Sequence, residues 1–258
     1  MLDETVLLSW TAQFLYIFLR VAALFTLSPV LGKKNAPPGL KILLSLFLTY
    51  VLINLFPPVQ QETGLYEFIN NCIKELITGL SMGFVTTLFF SAVLSAGHII
   101  DTQIGFGMAQ LFDQRTESQV PLVGNMLHIF FLVLFFITNS HHTLIRILAE
   151  TFVLMPPGNF EINLDIGVVM VEFFLLTVAL TLRLAMPVMA AMFITETALG
   201  IVIRTVPQMN MFVVGIPIKI IVGFVVMVLT VPVFFGLSGN MFDLMFTSIR
   251  ELARRMVL

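Results

Sequence analysis

Residues 75–100 read ELITGLSMGFVTTLFFSAVLSAGHII, and after Glu75 the run holds no Asp, Glu, Lys or Arg. Its apolar residues do not alternate with polar ones, which argues against a barrel strand. Roughly 20 mostly apolar residues carry a helix across a bilayer core. In lipid a helix pairs its own backbone groups, whereas an open sheet edge leaves them bare. The run is therefore read as a membrane-type helix. Gly79 and Gly83 form a small-xxx-small pair, continued by Ser91 and Ser95 and by Ala92 and Ala96 on adjacent faces. That spacing predicts close helix approach but leaves open whether the contact is internal or between subunits.

Working outward, further apolar runs lie at about 6–31, 40–56, 120–138, 166–194 and 211–237. Hydrophobic residues make up 58% of the chain and charged ones 11%, with mean hydropathy +1.01, far from soluble norms. The expected class is an all-α, polytopic membrane protein of six runs. The connections at about 57–74 and 139–165 carry FPPVQQETG and LMPPGNFEINLD, whose Pro and Gly predict turns and leave no room for a soluble domain. Pro187 is expected to kink or break the fifth run. The N-terminal MLDETVLLSW is acidic where a signal peptide is basic, so it reads as mature structure.

Several function classes are disfavoured. The net charge is -2 and the 13 Lys and Arg are scattered, so no basic patch offers a nucleic-acid surface. With Cys72 alone, an internal disulfide or thiolate cluster is impossible. Phosphate-binding Gly-x-x-x-x-Gly-Lys and zinc-binding His-Glu-x-x-His are missing, so no enzyme, metal or cofactor is expected. GLSG at 236–239 resembles the serine motif of intramembrane proteases, but all 4 histidines precede Ser238 where a later base is needed. A glycine-rich break at the end of the last span accounts for it. Adjacent His141 and His142 point about 100° apart on a helix and suit capping or packing better than joint chelation. Met186, Met189 and Met192 form a stripe suited to helix packing, or to a soft seal around a passing substrate.

Orientation and charge disagree. Lys33, Lys34 and Lys41 place the first connection in the cytoplasm, and six alternating spans then put the C-terminus outside. Yet Arg250, Arg254 and Arg255 on the tail MFDLMFTSIRELARRMVL favour the inside. Either one run does not span, or the helices are buried against protein. Arg20, Glu172, Arg183 and Glu196 interrupt apolar runs and point to protein neighbours at helix or subunit contacts. Glu172 and Arg183, eleven residues apart, share a face without touching. Such charges, with Pro- and Gly-interrupted helices, also fit a small-solute or ion secondary transporter, although no similarity between halves supports a repeat.

One resemblance covers essentially the whole chain. IDTQIGFGMAQLFDQ at 100–114, SQVPLVGN at 118–125, TNSHHTLI at 138–145, ETFVLMPPG at 150–158 and TVPQMNMFVVGIPIKIIVGF at 205–224 strongly resemble the FliR/SctT family of type III export-gate subunits. The flagellar form matches more closely than its injectisome counterpart. The family more often has Asp-Pro and a glycine at Asp113, Gln114 and Arg115, and Asn-Gly at Asn139 and Ser140.

The resemblance implies a structural, channel-forming subunit of the flagellar export gate in the bacterial inner membrane and basal body. One copy would close a spiral of helical hairpins with FliP-like and FliQ-like subunits. The partners would include an FlhB-like switch protein, the remaining export apparatus, membrane lipid, and unfolded exported proteins as substrate. The chain would be one FliR-like domain over 1–258, FliP-like over about 1–200 with a FliQ-like C-terminal hairpin over about 201–258. Buried charges such as Arg183 and Glu172 would face partner helices, not lipid, with Arg20 and Glu196 likewise at subunit or helix contacts. The loop after the Asp-x-Gln-x-Gly-Phe-Gly block would help plug the idle channel. Gly105 and Gly107 would free its backbone, and Phe106, Met108, Leu111 and Phe112 would supply apolar bulk. Asp113, Arg115 and Glu117 would keep its tip hydrated.

Overall fold

Every regular element among the described residues is an α-helix, as the apolar runs require. The computed structural model describes residues 4–29, 37–56, 64–106, 121–163, 166–206 and 211–257. In chain order the helices are α1 (Glu4–Leu27), α2 (Pro38–Ile53), α3 (Leu65–Ile104), α4 (Leu122–Ile137), α5 (Ser140–Leu154), α6 (Ile166–Thr205) and α7 (Met211–Arg255). Two compact units interleave along the chain: 1–89 with 138–174 and 243–258, and 90–137 with 175–242.

In the first unit, α1 and α3 meet along the glycine stripe. A Cβ on Gly79 would collide with the Arg20 carbonyl and the Ala23 methyl, and one on Gly83 with the Leu24 carbonyl and Leu27. One turn on, the Thr87 hydroxyl donates to the Leu27 carbonyl at 2.6 Å. The small-xxx-small pair is thus an internal contact, where missing side chains let two backbones touch. Tyr16, Ile17, Val21 and Leu24 of α1 are buried, as are Met82 and Val85 of α3 and Met245, Ile249 and Leu252 near the end of α7.

The second unit is built around phenylalanines. Phe131 lies 4.9 Å from Phe90 and 4.5 Å from Phe242 between ring centroids, and Phe135 lies 5.6 Å from each of Phe90 and Phe242. Edge-on and tilted rings at such spacing gain quadrupole attraction beyond their burial. The Thr181 hydroxyl of α6 donates to the Ala92 carbonyl of α3 at 3.3 Å, again beside a small residue. Helices α6 and α7 run antiparallel here, because Glu196 pairs with Lys219 while Leu184, earlier in α6, lines a cavity with Phe234, later in α7.

Several expectations need correction. Residues 139–165 are not merely turns: 140–154 form α5, whose buried Ser140, Leu144, Ile147, Leu148, Thr151 and Phe152 recur every three or four residues. Its stripe is amphipathic, so a search for long apolar runs passes over it. Pro187 does not break α6, nor do Pro217 and Pro232 break α7. Proline forfeits one backbone bond, and in a packed apolar setting neighbouring groups tolerate that loss. Gly236–Gly239 likewise lies inside α7, where the buried Ser238 hydroxyl donates to its own helix at the Phe234 carbonyl, 2.7 Å away. The glycine-rich break expected there is continuous helix.

The span count also changes. Among the described residues α1, α3, α6 and α7 are long and apolar enough to cross a membrane, and α4 with α5 passes only as one broken pair. Helix α2, at 16 residues, is about 24 Å long and falls short of a core of about 30 Å. Counted as one span, that pair makes five crossings, which would put the chain ends on opposite faces and remove the conflict between the two basic segments; as a re-entrant loop it leaves four and the conflict stands. The interruption between α4 and α5 has a local cause: Asn139 sits at φ 56°, the left-handed region that asparagine tolerates better than most residues.

Candidate functional site

The segment singled out in the sequence joins α3 to α4, and its two ends are described. At the near end Asp101 is buried in the last turns of α3. Its carboxylate accepts the Val123 amide at 3.0 and 3.1 Å and the Gly124 amide at 3.2 Å. A helix N-terminus exposes unpaired N–H groups and a partial positive charge, so a carboxylate there caps α4 in both senses. Ordinarily the cap comes from the residue just before the helix. Here it comes from the preceding helix, so one side chain holds together both ends of the intervening segment.

Glycines make this possible. A Cβ on Gly97 would strike the backbone of Gly124, and one on Gly124 would strike the Leu94 carbonyl, so α3 and α4 meet backbone to backbone one turn from Asp101. Gly105 follows the last residue of α3 at φ 95°, a conformation only glycine adopts cheaply, and turns the chain out of the helix. Ile104 just before it is fully buried, and Gly223 of α7 has room only for hydrogen against it. Of the expected plug residues, Gly105 and Phe106 are half-buried at this exit. Gly107, Met108, Leu111, Phe112, Asp113, Arg115 and Glu117 lie outside the described residues.

A second cluster centres on Arg20, fully buried in α1. Its Nε donates to Glu75 Oε2 at 2.6 Å, Nη1 to the Thr151 hydroxyl at 3.2 Å and Nη2 to the Met155 carbonyl at 3.0 Å. The guanidinium carbon lies 4.2 Å from the Phe152 ring centroid and 5.2 Å from that of Phe160. The other Glu75 oxygen accepts the Gly158 amide at 3.1 Å. Gly158 itself, at φ 70°, lies against the Tyr16 ring. Arginine's planar fork suits this many directional contacts. The cluster therefore ties α1, α3, α5 and the turn after α5 into one unit, and Lys74 adds a bond to the Phe160 carbonyl at 2.9 Å.

The remaining expected charges lie at the chain surface. Glu172 pairs with Arg255 at 2.9 Å, both exposed, and exposed Glu196 pairs with half-buried Lys219 at 2.7 Å. Arg183 is exposed and has no ion-pair partner among the described residues. Glu172 and Arg183 do not meet. The His141 and His142 rings lie tilted at 38° with centroids 4.1 Å apart at the start of α5. Among the described residues no three His, Cys, Asp or Glu converge as metal ligands.

Glu75 and Asp101 escaped the sequence reading. Glu75 opens the very run that carries Gly79 and Gly83, and four-residue spacing puts all three on one helix face, the face turned to Arg20. That coincidence was the available signal. Asp101 was visible inside the IDTQ block, but its partners lie 22 and 23 residues on, beyond the reach of local spacing rules.

The model of the family described as bacterial export proteins, family 1, matches residues 11–245. The flagellar biosynthetic protein FliR of Bacillus subtilis is 31% identical over 244 residues, covering 93% of each chain. The FliR protein of Escherichia coli is 26% identical over 95% of this chain and 94% of its own. The secretion system apparatus protein SsaT of Salmonella typhimurium is 26% identical over 86% and 88%. With these blocks matched across nearly its whole length, the chain belongs to bacterial export proteins, family 1, the family of the flagellar FliR proteins.

Proposed function

We propose that the chain is a non-enzymatic subunit of a bacterial type III export gate that conducts unfolded flagellar proteins across the inner membrane at the flagellar basal body. It forms part of the channel wall in a spiral with FliP-like and FliQ-like subunits, beside an FlhB-like protein. Residues of about 1–200 act as the FliP-like part and about 201–258 as the FliQ-like hairpin. Energy comes from partners, since the sequence carries no nucleotide-binding motif.

The observation that carries the proposal is the full-length family match combined with the length of α6 and α7. At 40 and 45 residues they are about 60 and 68 Å long, twice a bilayer core of about 30 Å. Both expose long apolar faces, including Phe193, Ile194, Ile201, Ile221, Phe224 and Leu229. Lipid covers only about half such a length, so other helices must cover the rest.

The segment between α3 and α4 is proposed as the plug of the idle channel. Its ends are drawn together by Asp101, which suits a projection rather than a slack linker. Deleting 106–117 raises ion leakage through the assembled complex in planar bilayers; unchanged conductance rejects the plug. Removing the gene abolishes export of flagellar proteins to the medium, and a plasmid copy restores it, including one with Ser238→Ala. Normal export without the gene rejects the export function.

A further inference from the structure

Helix α3 delivers the chain into an apolar groove. Gln103, in its last turn, lines that groove with Leu182, Met186, Met189, Ala190 and Phe193 of α6. The wall is nearly all carbon, and Gln103 is its one polar side chain. Met186 is 59% exposed and Phe193 71%. The two helices run parallel here: the Thr181 hydroxyl bonds the Ala92 carbonyl at 3.3 Å, and further along both helices Gln103 shares the groove with 182–193. Phe106, the last described residue of this stretch, follows Gln103 by three positions, so the chain leaves α3 at the groove.

Residues 107–120 lead from there to α4, whose first turn is held beside the end of α3 by Asp101 and by the Gly97–Gly124 contact. A segment with its ends held together goes out over half its length and returns over the other half. Seven residues reach at most about 23 Å, and the groove from Leu182 to Phe193 is about 16 Å long at the rise of a helix. The two halves differ in kind. The outgoing half, GMAQLFD at 107–113, carries Met108, Ala109, Leu111 and Phe112, whereas the returning half, QRTESQV at 114–120, carries Arg115 and Glu117 and has Val120 as its one hydrophobic residue. Only the outgoing half matches a carbon wall. The groove holds about 380 Å³, towards the low end of ligand clefts at about 300–1,000 Å³, which suits a few side chains rather than a packed helix. A short tether also gives the segment a millimolar effective concentration at the groove, ahead of any free competitor.

We propose that the α6 groove is the docking site of this chain's own residues 108–112, with Met108, Leu111 and Phe112 laid against Met186, Met189 and Phe193 and the charged residues 113–117 turned away from it. Methionine on both sides of the contact lets the two surfaces adapt to each other. The inference goes beyond the plug reading and does not rest on it, since docking within one chain holds whether or not the segment meets a channel.

The test uses the full chain in its native membranes. A photoreactive residue replacing Leu111 should cross-link to the 182–193 stretch, read by mass spectrometry of the digested chain. In a mixture of isotope-labelled and unlabelled chains, both halves of each cross-link should carry the same label. Phe193→Asp should lower the yield at least about tenfold by putting a charge on the carbon wall. Phe224→Asp, at an exposed position of α7 outside the groove, should leave it unchanged. Chain levels in the membrane, measured alongside, separate lost docking from lost folding. Cross-links to lipid, to a second copy, to another subunit or to other parts of this chain, or a yield unchanged by Phe193→Asp, overturn the inference. Export and ion leakage, read separately, then still decide the subunit function and the plug.

Discussion

Glu75→Ala tests the buried charge cluster most sharply. The substitution removes the 2.6 Å bond from Arg20 and the acceptor of the Gly158 amide, while Arg20 keeps Thr151, Met155 and the Phe152 ring. Breaking a buried ion pair from one side costs about 3–5 kcal/mol, since the remaining charge stays desolvated. An orphaned amide adds about 1 kcal/mol. The surviving contacts of Arg20, with the Phe160 ring among them, hold the total near the middle of that range, about 4 kcal/mol. For a chain of this size each kcal/mol moves the midpoint by about 2–4 °C, so thermal unfolding in mild detergent should shift down by about 8–16 °C. The double variant Arg20→Met with Glu75→Leu replaces the pair by apolar groups of similar bulk and should return to within about 1 kcal/mol of wild type. A shift below about 3 °C for Glu75→Ala, or a double variant no better than the single, refutes the reasoning.

Gly79→Val should destabilise the isolated chain by about 2 kcal/mol or more, because its branches meet the Arg20 backbone, whereas Gly200→Ala, with open space around it, should be neutral or gain up to about 1 kcal/mol; thermal melts compare them. Asp101→Ala should cost about 1–3 kcal/mol and speed hydrogen exchange at the Val123 and Gly124 amides, with Asp101→Asn intermediate. Asn139→Val should lose about 1–2 kcal/mol at its left-handed backbone, and Asn139→Gly should lose nothing, by the same melts.

Fold class and family were legible in the sequence because both are written in contiguous stretches: apolar runs for the helices, and the blocks around Asp101, His141 and Pro217 for the family. Helix ends were not. The expected runs stop at a charged residue or a glycine-rich stretch, at Glu75 and at 237, yet α3 starts ten residues before Glu75 and α7 runs on past Gly239 to Arg255. Those signals weigh heavily for a helix in water and lightly for one packed among apolar neighbours. Helix α5 stayed hidden because its apolar residues face one side only. The site was half legible. Arg20 stood out as a costly charge, but its partner Glu75 lies 55 residues away and becomes obvious only once Gly79 and Gly83 bring α3 against α1. Arg183 stood out equally, and its own chain supplies no answering charge among the described residues.

The central claim is that this chain works as one subunit of a multi-subunit export gate, and its most direct test is a tagged pull-down from native membranes in mild detergent with mass spectrometry of what stays bound. Recovery of FliP-like and FliQ-like subunits in one stable complex is the predicted result. A solitary chain or a simple homo-oligomer, with solute uptake by that chain alone in vesicles, would contradict it.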